Sequence, residues 1–184
     1  MPTPDKPAKG AARDALDLLK ADHDKVKHLF RAFGSLKGID DEDQRKAELV
    51  DEICNELTVH TMIEEEIFYP FLRATIDDDE LMDDAEAEHA GARDLIRQLE
   101  VMYPGDDLFD ATVAVLSDEI GQHIEQEESA LFAAARKAGV DLGALGQRLS
   151  ARKEQLDEDL SSPPGTQGGM QPHEGARRPL RPPD

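Results

Sequence analysis

The chain has 184 residues, 41 acidic against 21 basic, and a formal net charge of −20. That length suits one domain with a full core, and the charge speaks against nucleic acid or an anionic membrane as partner, since both bind through basic patches. No apolar run is long enough to span a bilayer, residues 1–10 lack the apolar centre of a signal peptide, and Cys54 is the one cysteine, so a cytoplasmic protein without an internal disulfide is expected.

Residues 1–10 are polar and proline-bearing and read as a flexible leader. A first helix is expected over about 11–33, because Leu16, Leu19, His23, Val26, Phe30 and Phe33 recur at alternating spacings of three and four, one face of a bundled helix. His28 falls off that face and reads as a solvated surface residue. Gly34 and Gly38 bracket the following turn. A second helix is expected over about 43–73 on the stripe Leu49, Ile53, Leu57, Ile67 and Phe71, with His60 and Glu64 in phase. Glu65 and Glu66 are out of phase and read as solvated. Tyr69 is half a turn away from His60 and is not assigned to a site. Pro70 should distort or end this helix, and Cys54 reads as a small buried hydrophobe.

The acidic run 77–80 suits a helix N-terminus. The third helix, to about 102, carries Leu81 or Met82, Ala85, His89, Ala92, Ile96 and Leu99 on one face. Pro104 and Gly105 then break the chain. A fourth helix from about 106 to a C-terminal glycine at 139 carries Phe109, Val113, Leu116, Ile120, His123, Glu127, Leu131 and Ala134. A shorter amphipathic helix over 141–160, with Leu142, Leu145, Leu149, Leu156 and Leu160, packs on the bundle or on a second subunit. Residues 161–184, rich in Pro and Gly and containing His173, read as disordered. The expectation is all-α: an up-down-up-down four-helix bundle over 11–140 with an additional C-terminal helix.

Six polar groups lie on the inward stripes: His23, His60, Glu64, His89, His123 and Glu127. In each His-x-x-x-Glu arm, the two side chains stand one turn apart on the same helix face. A buried histidine alone is usually a hydrogen-bonded structural residue. Two buried glutamates are rarer, because an unpaired carboxylate is costly in an apolar core, and no basic residue is in phase to neutralise them. A bound metal pair solves that problem, whereas a metal-free network of His–Glu hydrogen bonds is the bland alternative. Imidazole and carboxylate without thiolate suit iron, manganese or zinc, and six ligands exceed a closed structural zinc site.

The order His, His-x-x-x-Glu, His, His-x-x-x-Glu resembles the hemerythrin-like (HHE cation-binding) domain. The flanks HTMIEEEIFYPFL, EAEHAGARDLIRQL and HIEQEESALFAAA are similar to the family's second, third and fourth helices. The resemblance covers about residues 12–138. It implies two non-haem iron ions, oxo- or hydroxo-bridged, with His23 and His60 on one, His89 and His123 on the other, and Glu64 and Glu127 between them. Oxygen-carrying members place a second histidine one turn before the third-helix histidine, where this chain has Ala85, and an aspartate five after the last-helix histidine, where it has Glu128. The resemblance is therefore to the bacterial subgroup associated with peroxide or nitric-oxide chemistry. The implied function is a di-iron protein that handles O2, peroxide or nitric oxide, with catalase-like turnover as the first activity to test. The alternative is a non-enzymatic carrier or sensor of a diatomic gas or of iron. No catalytic side chain is named beyond the ligands, and the oligomeric state is left open.

Overall fold

The structure, a computed structural model, describes residues 13–161 apart from residue 40. The expected leader, the expected disordered tail and His173 lie outside the described residues. Helix α1 (Ala15–Ser35) begins at Asp14, whose carboxylate accepts the Asp17 N–H at 2.9 Å and so satisfies one of the orphan donors of the first turn. Helix α2 (Asp43–Ile63) runs into a π segment (Glu64–Phe68) and on into α3 (Tyr69–Arg73). Helix α4 (Asp79–Glu100) returns. Helix α5 (Phe109–Gln126) runs into a second π segment (Glu127–Leu131) and on into α6 (Phe132–Ala138). Gly139 closes α6 in the left-handed conformation at φ +68°, which is why glycine stands there.

The chain folds as an all-α, up-down-up-down bundle with a further helix, α7 (Leu142–Ser161). That helix lies against α1, α2 and the first π segment, which decides between the two places expected for it. Its buried stripe is Leu145, Leu149 and Leu156. Gly146 permits the close approach: a Cβ there would stand 2.7 Å from the Arg13 carbonyl oxygen and 2.8 Å from the Ala15 nitrogen.

The core divides into two apolar clusters. One, at the α3–α6–α7 end, contains Leu16, Ile63, Phe68, Leu72, Met82 and Phe132. The other, at the opposite end, contains Phe33, Leu49, Ile53, Leu99, Phe109 and Leu116. Each such side chain contributes about 1.5–3 kcal/mol on burial. The buried stripe of α4 is the expected one. In the other long helices some positions move: Leu29 is buried where Phe30 was expected, Phe68 and Leu72 are buried where Ile67 and Phe71 were, and Ala135 is buried where Ala134 was. Two of these three changes lie in or beyond a π segment, whose extra residue per turn rotates everything after it. Among the described residues, no helix is long and apolar enough to cross a membrane.

Candidate metal centre

Between the two clusters, α1, α2, α4 and α5 each turn one histidine inward, at His23, His60, His89 and His123. The π segments begin at Glu64 and Glu127. All six side chains are buried, the two glutamates to 0% and 2% exposure. In each π segment the carbonyl of the glutamate accepts the N–H five residues on, from Tyr69 and from Phe132. The bulge lets the glutamate and the aromatic five positions later face the core together.

The four imidazoles point Nε2 inward. The Nε2 atoms of His23 and His60 are 3.2 Å apart, and so are those of His89 and His123. Glu64 Oε2 lies 3.2 Å from His60 Nε2 and 3.3 Å from His89 Nε2, and so stands between the pairs. Glu127 Oε2 lies 3.1 Å from His23 Nε2 and 3.8 Å from His123 Nε2. Two ligands each about 2.1 Å from one ion stand ~3.0–3.4 Å apart in octahedral or tetrahedral arrangements. The observed spacings fit donors sharing an ion better than donors bonded to one another. The residues fall into two groups able to hold a metal, His23–His60–Glu64–Glu127 and Glu64–His89–His123.

The outward Nδ1 atoms meet carboxylates. His23 Nδ1 is 3.0 Å from Glu128, His89 Nδ1 is 3.0 Å from Glu65, and His123 Nδ1 is 2.8 Å from Glu88. Asp22 stands 3.7 Å from His60 Nδ1. An imidazole whose Nδ1–H is held by a carboxylate presents its Nε2 lone pair inward, the arrangement of metal-ligating histidines. These contacts also expose an internal two-fold relation. Asp22, His23, His60, Glu64, Glu65 and Tyr69 correspond in order to Glu88, His89, His123, Glu127, Glu128 and Phe132.

The family model for the hemerythrin HHE cation-binding domain matches residues 14–135. The chain belongs to the hemerythrin HHE cation-binding domain family. A crystal structure of an HHE cation-binding domain-containing protein from Mycobacterium kansasii superposes with a TM-score of 0.68 at 25% identity, over 80% of this chain and 90% of that one. A curated relative from Nostoc, called a DNA nickase, is 33% identical over 123 residues, which are 65% of this chain and 33% of the relative. The chain thus spans about a third of that relative's length.

The electrostatics of this HHE site bear on whether its residues suit a cation. Burial pushes the Glu127 carboxyl up to about 8, and the charge of Glu64 adds to the rise. Burial acts the same way on Glu64, but His60, His89 and His123 outweigh it and hold Glu64 well below the usual carboxylate range. Two carboxylates this close and this buried oppose each other's ionisation, and the rise falls on Glu127. Burial takes His123 down to about 3. His89 is also lowered by burial, yet its contacts with Glu64 and Glu65 carry it up to about 9. Glu64 Oε1 is buried without a hydrogen-bond partner. Two buried carboxylates, an orphaned oxygen and four inward imidazoles make a donor set suited to divalent or trivalent ions.

Two features of the HHE site escape helical phase. The Tyr69 hydroxyl lies 3.3 Å from Glu64 Oε2, from His89 Nε2 and from Glu127 Oε1, and it donates to the carboxylates. Burial and the two glutamate charges hold its proton on, well above the ordinary phenol range. Aligning the two arms gives the missing signal, an aromatic five residues after each glutamate. The second feature is Glu65, expected to be solvated. It is half-buried, because it bridges His89 Nδ1 and Arg93. His28 is exposed, as expected, and Glu66 is exposed and pairs with Arg152. Ala85 is buried in the cluster that contains Tyr69, and Glu128 lies on the outer side of His23.

Proposed function

We propose that this HHE domain is a non-haem di-iron protein that handles O2, peroxide or nitric oxide, and the first activity to test is catalase-like disproportionation of two hydrogen peroxide molecules to O2 and two waters. In this reading His23 and His60 hold one iron, His89 and His123 hold the other, and Glu64 and Glu127 lie between them. The observation that carries it is the pair of 3.2 Å Nε2–Nε2 approaches flanking two buried glutamates that, among the described residues, pair with no lysine or arginine.

A bound iron pair supplies Lewis acidity and exchange of electrons with the oxygen ligand. The chain supplies the rest. Glu65, Glu88 and Glu128 fix three of the imidazoles from outside, and Asp22 stands 3.7 Å from the fourth, His60. Tyr69 keeps a proton at its Oη, within reach of both carboxylates, where a small oxygen ligand could accept it. Val26, Leu57, Ile120 and Ile124 wall the site with apolar surface and limit the water beside it.

That apolar wall favours the second reading, a non-enzymatic carrier or sensor, because Val26, Leu57, Ile120 and Ile124 offer neither acid nor base. Oxygen evolution from peroxide by the iron-loaded protein separates the two. Turnover supports the first reading. A spectral change with nitric oxide or O2 and no oxygen evolution supports the second. We infer no nucleic-acid partner, since a net charge of −20 repels a phosphate backbone, and the DNA nickase relative has about two-thirds of its length outside the match. The same reading puts the protein in the cytoplasm.

A further inference from the structure

Two spaces share a wall on the face between α1 and α5. The outer one is a groove of about 580 Å³, lined by Lys27, Phe30 and Arg31 of α1 and by Ile120, Gly121 and Ile124 of α5, with Asp24 and Ser117 at its edges. The inner one is a void of about 10 Å³ among the four inward imidazoles, walled by Val26, Leu57, Ile120 and Ile124, with Asp22 and Thr61 also on its lining. Ile120 and Ile124 belong to both linings, and they are 4% and 2% exposed. They are one turn apart on α5, and His123 lies between them in sequence.

The rest of the molecule makes this face different from its relatives by the internal two-fold. Ile120, Gly121 and Ile124 correspond to Leu57, Thr58 and Thr61 on α2. Where the α5 face has a glycine, the α2 face has a β-branched side chain whose hydroxyl is bonded to the Cys54 carbonyl. On the neighbouring face, between α1 and α2, α7 lies across the helices. Its Lys153 reaches Asp22 at 2.5 Å and Glu56 at 3.9 Å. The Gly121 position is open, for a Cβ there would meet nothing within 4 Å.

We propose that the α1–α5 groove is the route by which a ligand of two or three non-hydrogen atoms reaches the centre, and that Ile120 and Ile124 set the size it admits. This rests on the reading of the site as a di-iron centre. A void of about 10 Å³ is at the lower limit for one water, so a ligand enters only when the isoleucine side chains give way. Helical isoleucine has essentially one χ1 rotamer, so the movement available is rotation at the chain's end and slight spreading of α1 from α5. Diatomics and hydrogen peroxide pass such a gap more readily than bulky organic peroxides.

Azide is the probe, mixed in stopped flow with the full-length, iron-loaded protein and followed by the optical change at the metal. Iron content is measured on every variant. Ile124→Ala joins the two spaces and should speed azide binding. Gly121→Leu places a side chain in the groove mouth from a position where a Cβ meets nothing within 4 Å, and should slow it. Each change should be roughly tenfold, the low end of the spread seen in association rates among related variants, with the final azide spectrum unchanged. If Ile124→Ala does not fold, Gly121→Leu and Ile124→Val still decide the question. Wild-type rates in Gly121→Leu and in the Ile124 variant, at wild-type iron content, would overturn the route and leave the di-iron reading standing. A protein that takes up no iron would overturn both.

Discussion

Three of the four buried histidines turn Nε2 toward the centre and are held at Nδ1 by a carboxylate. For these three the outer contact is 2.8–3.0 Å. His60 is the exception: Asp22 stands 3.7 Å away, its other oxygen taken by Lys153 of α7. Replacing an outer partner should therefore loosen the metal without touching a ligand. Glu88→Gln is expected to weaken metal affinity by about 10–100-fold, read by competition with a chelator, whereas Glu66→Gln, which alters a surface pair with Arg152, should leave it unchanged. Tyr69→Phe tests the hydroxyl alone. It keeps the ring that packs on Phe68 and His89, so iron should be retained while peroxide turnover falls by about 100-fold, the low end of what a positioned proton donor supplies. Undiminished oxygen evolution would remove Tyr69 from the chemistry.

At the level of elements, the four long helices and their inward histidines and glutamates are legible in the sequence because apolar residues recur every three or four positions and the polar six fall in phase with them. Tyr69 is not legible that way. Nine residues after His60, at 100° per residue, it should lie about 180° from the histidine. The extra residue in the π segment takes one step out of that count and brings it to about 80°, onto the core side. The same shift moves burial from Ile67 to Phe68 and from Ala134 to Ala135. Pro70 does not explain the bulge, since the second π segment has no proline; the shared feature is a glutamate and an aromatic that must both face inward. The docking of α7 was half legible. Its leucine stripe is visible, but which surface it covers depends on the contact at Gly146. Gly146→Ala forces a Cβ against the Arg13 and Ala15 backbone. It should cost about 1–3 kcal/mol and lower Tm in a thermal melt followed by circular dichroism. An unchanged Tm would mean that α7 is not seated as described.

For the whole molecule, the site is a polar layer between two apolar clusters, so removing the ions leaves buried carboxylates where the fold needs charge compensation. Chelation should lower Tm by about 5 °C or more, given ~2.7 kcal/mol of linkage at a hundredfold excess of ligand over Kd and 2–4 °C per kcal/mol at this size. The central claim, that these six side chains hold two irons, is tested most directly by elemental analysis of metal per chain in wild type, His60→Ala and His28→Ala purified in parallel. The account predicts two irons in wild type and in His28→Ala, whose residue 28 is exposed, and a loss of metal in His60→Ala. Wild-type protein holding zinc alone or no metal, or equal loss in both variants, would contradict it.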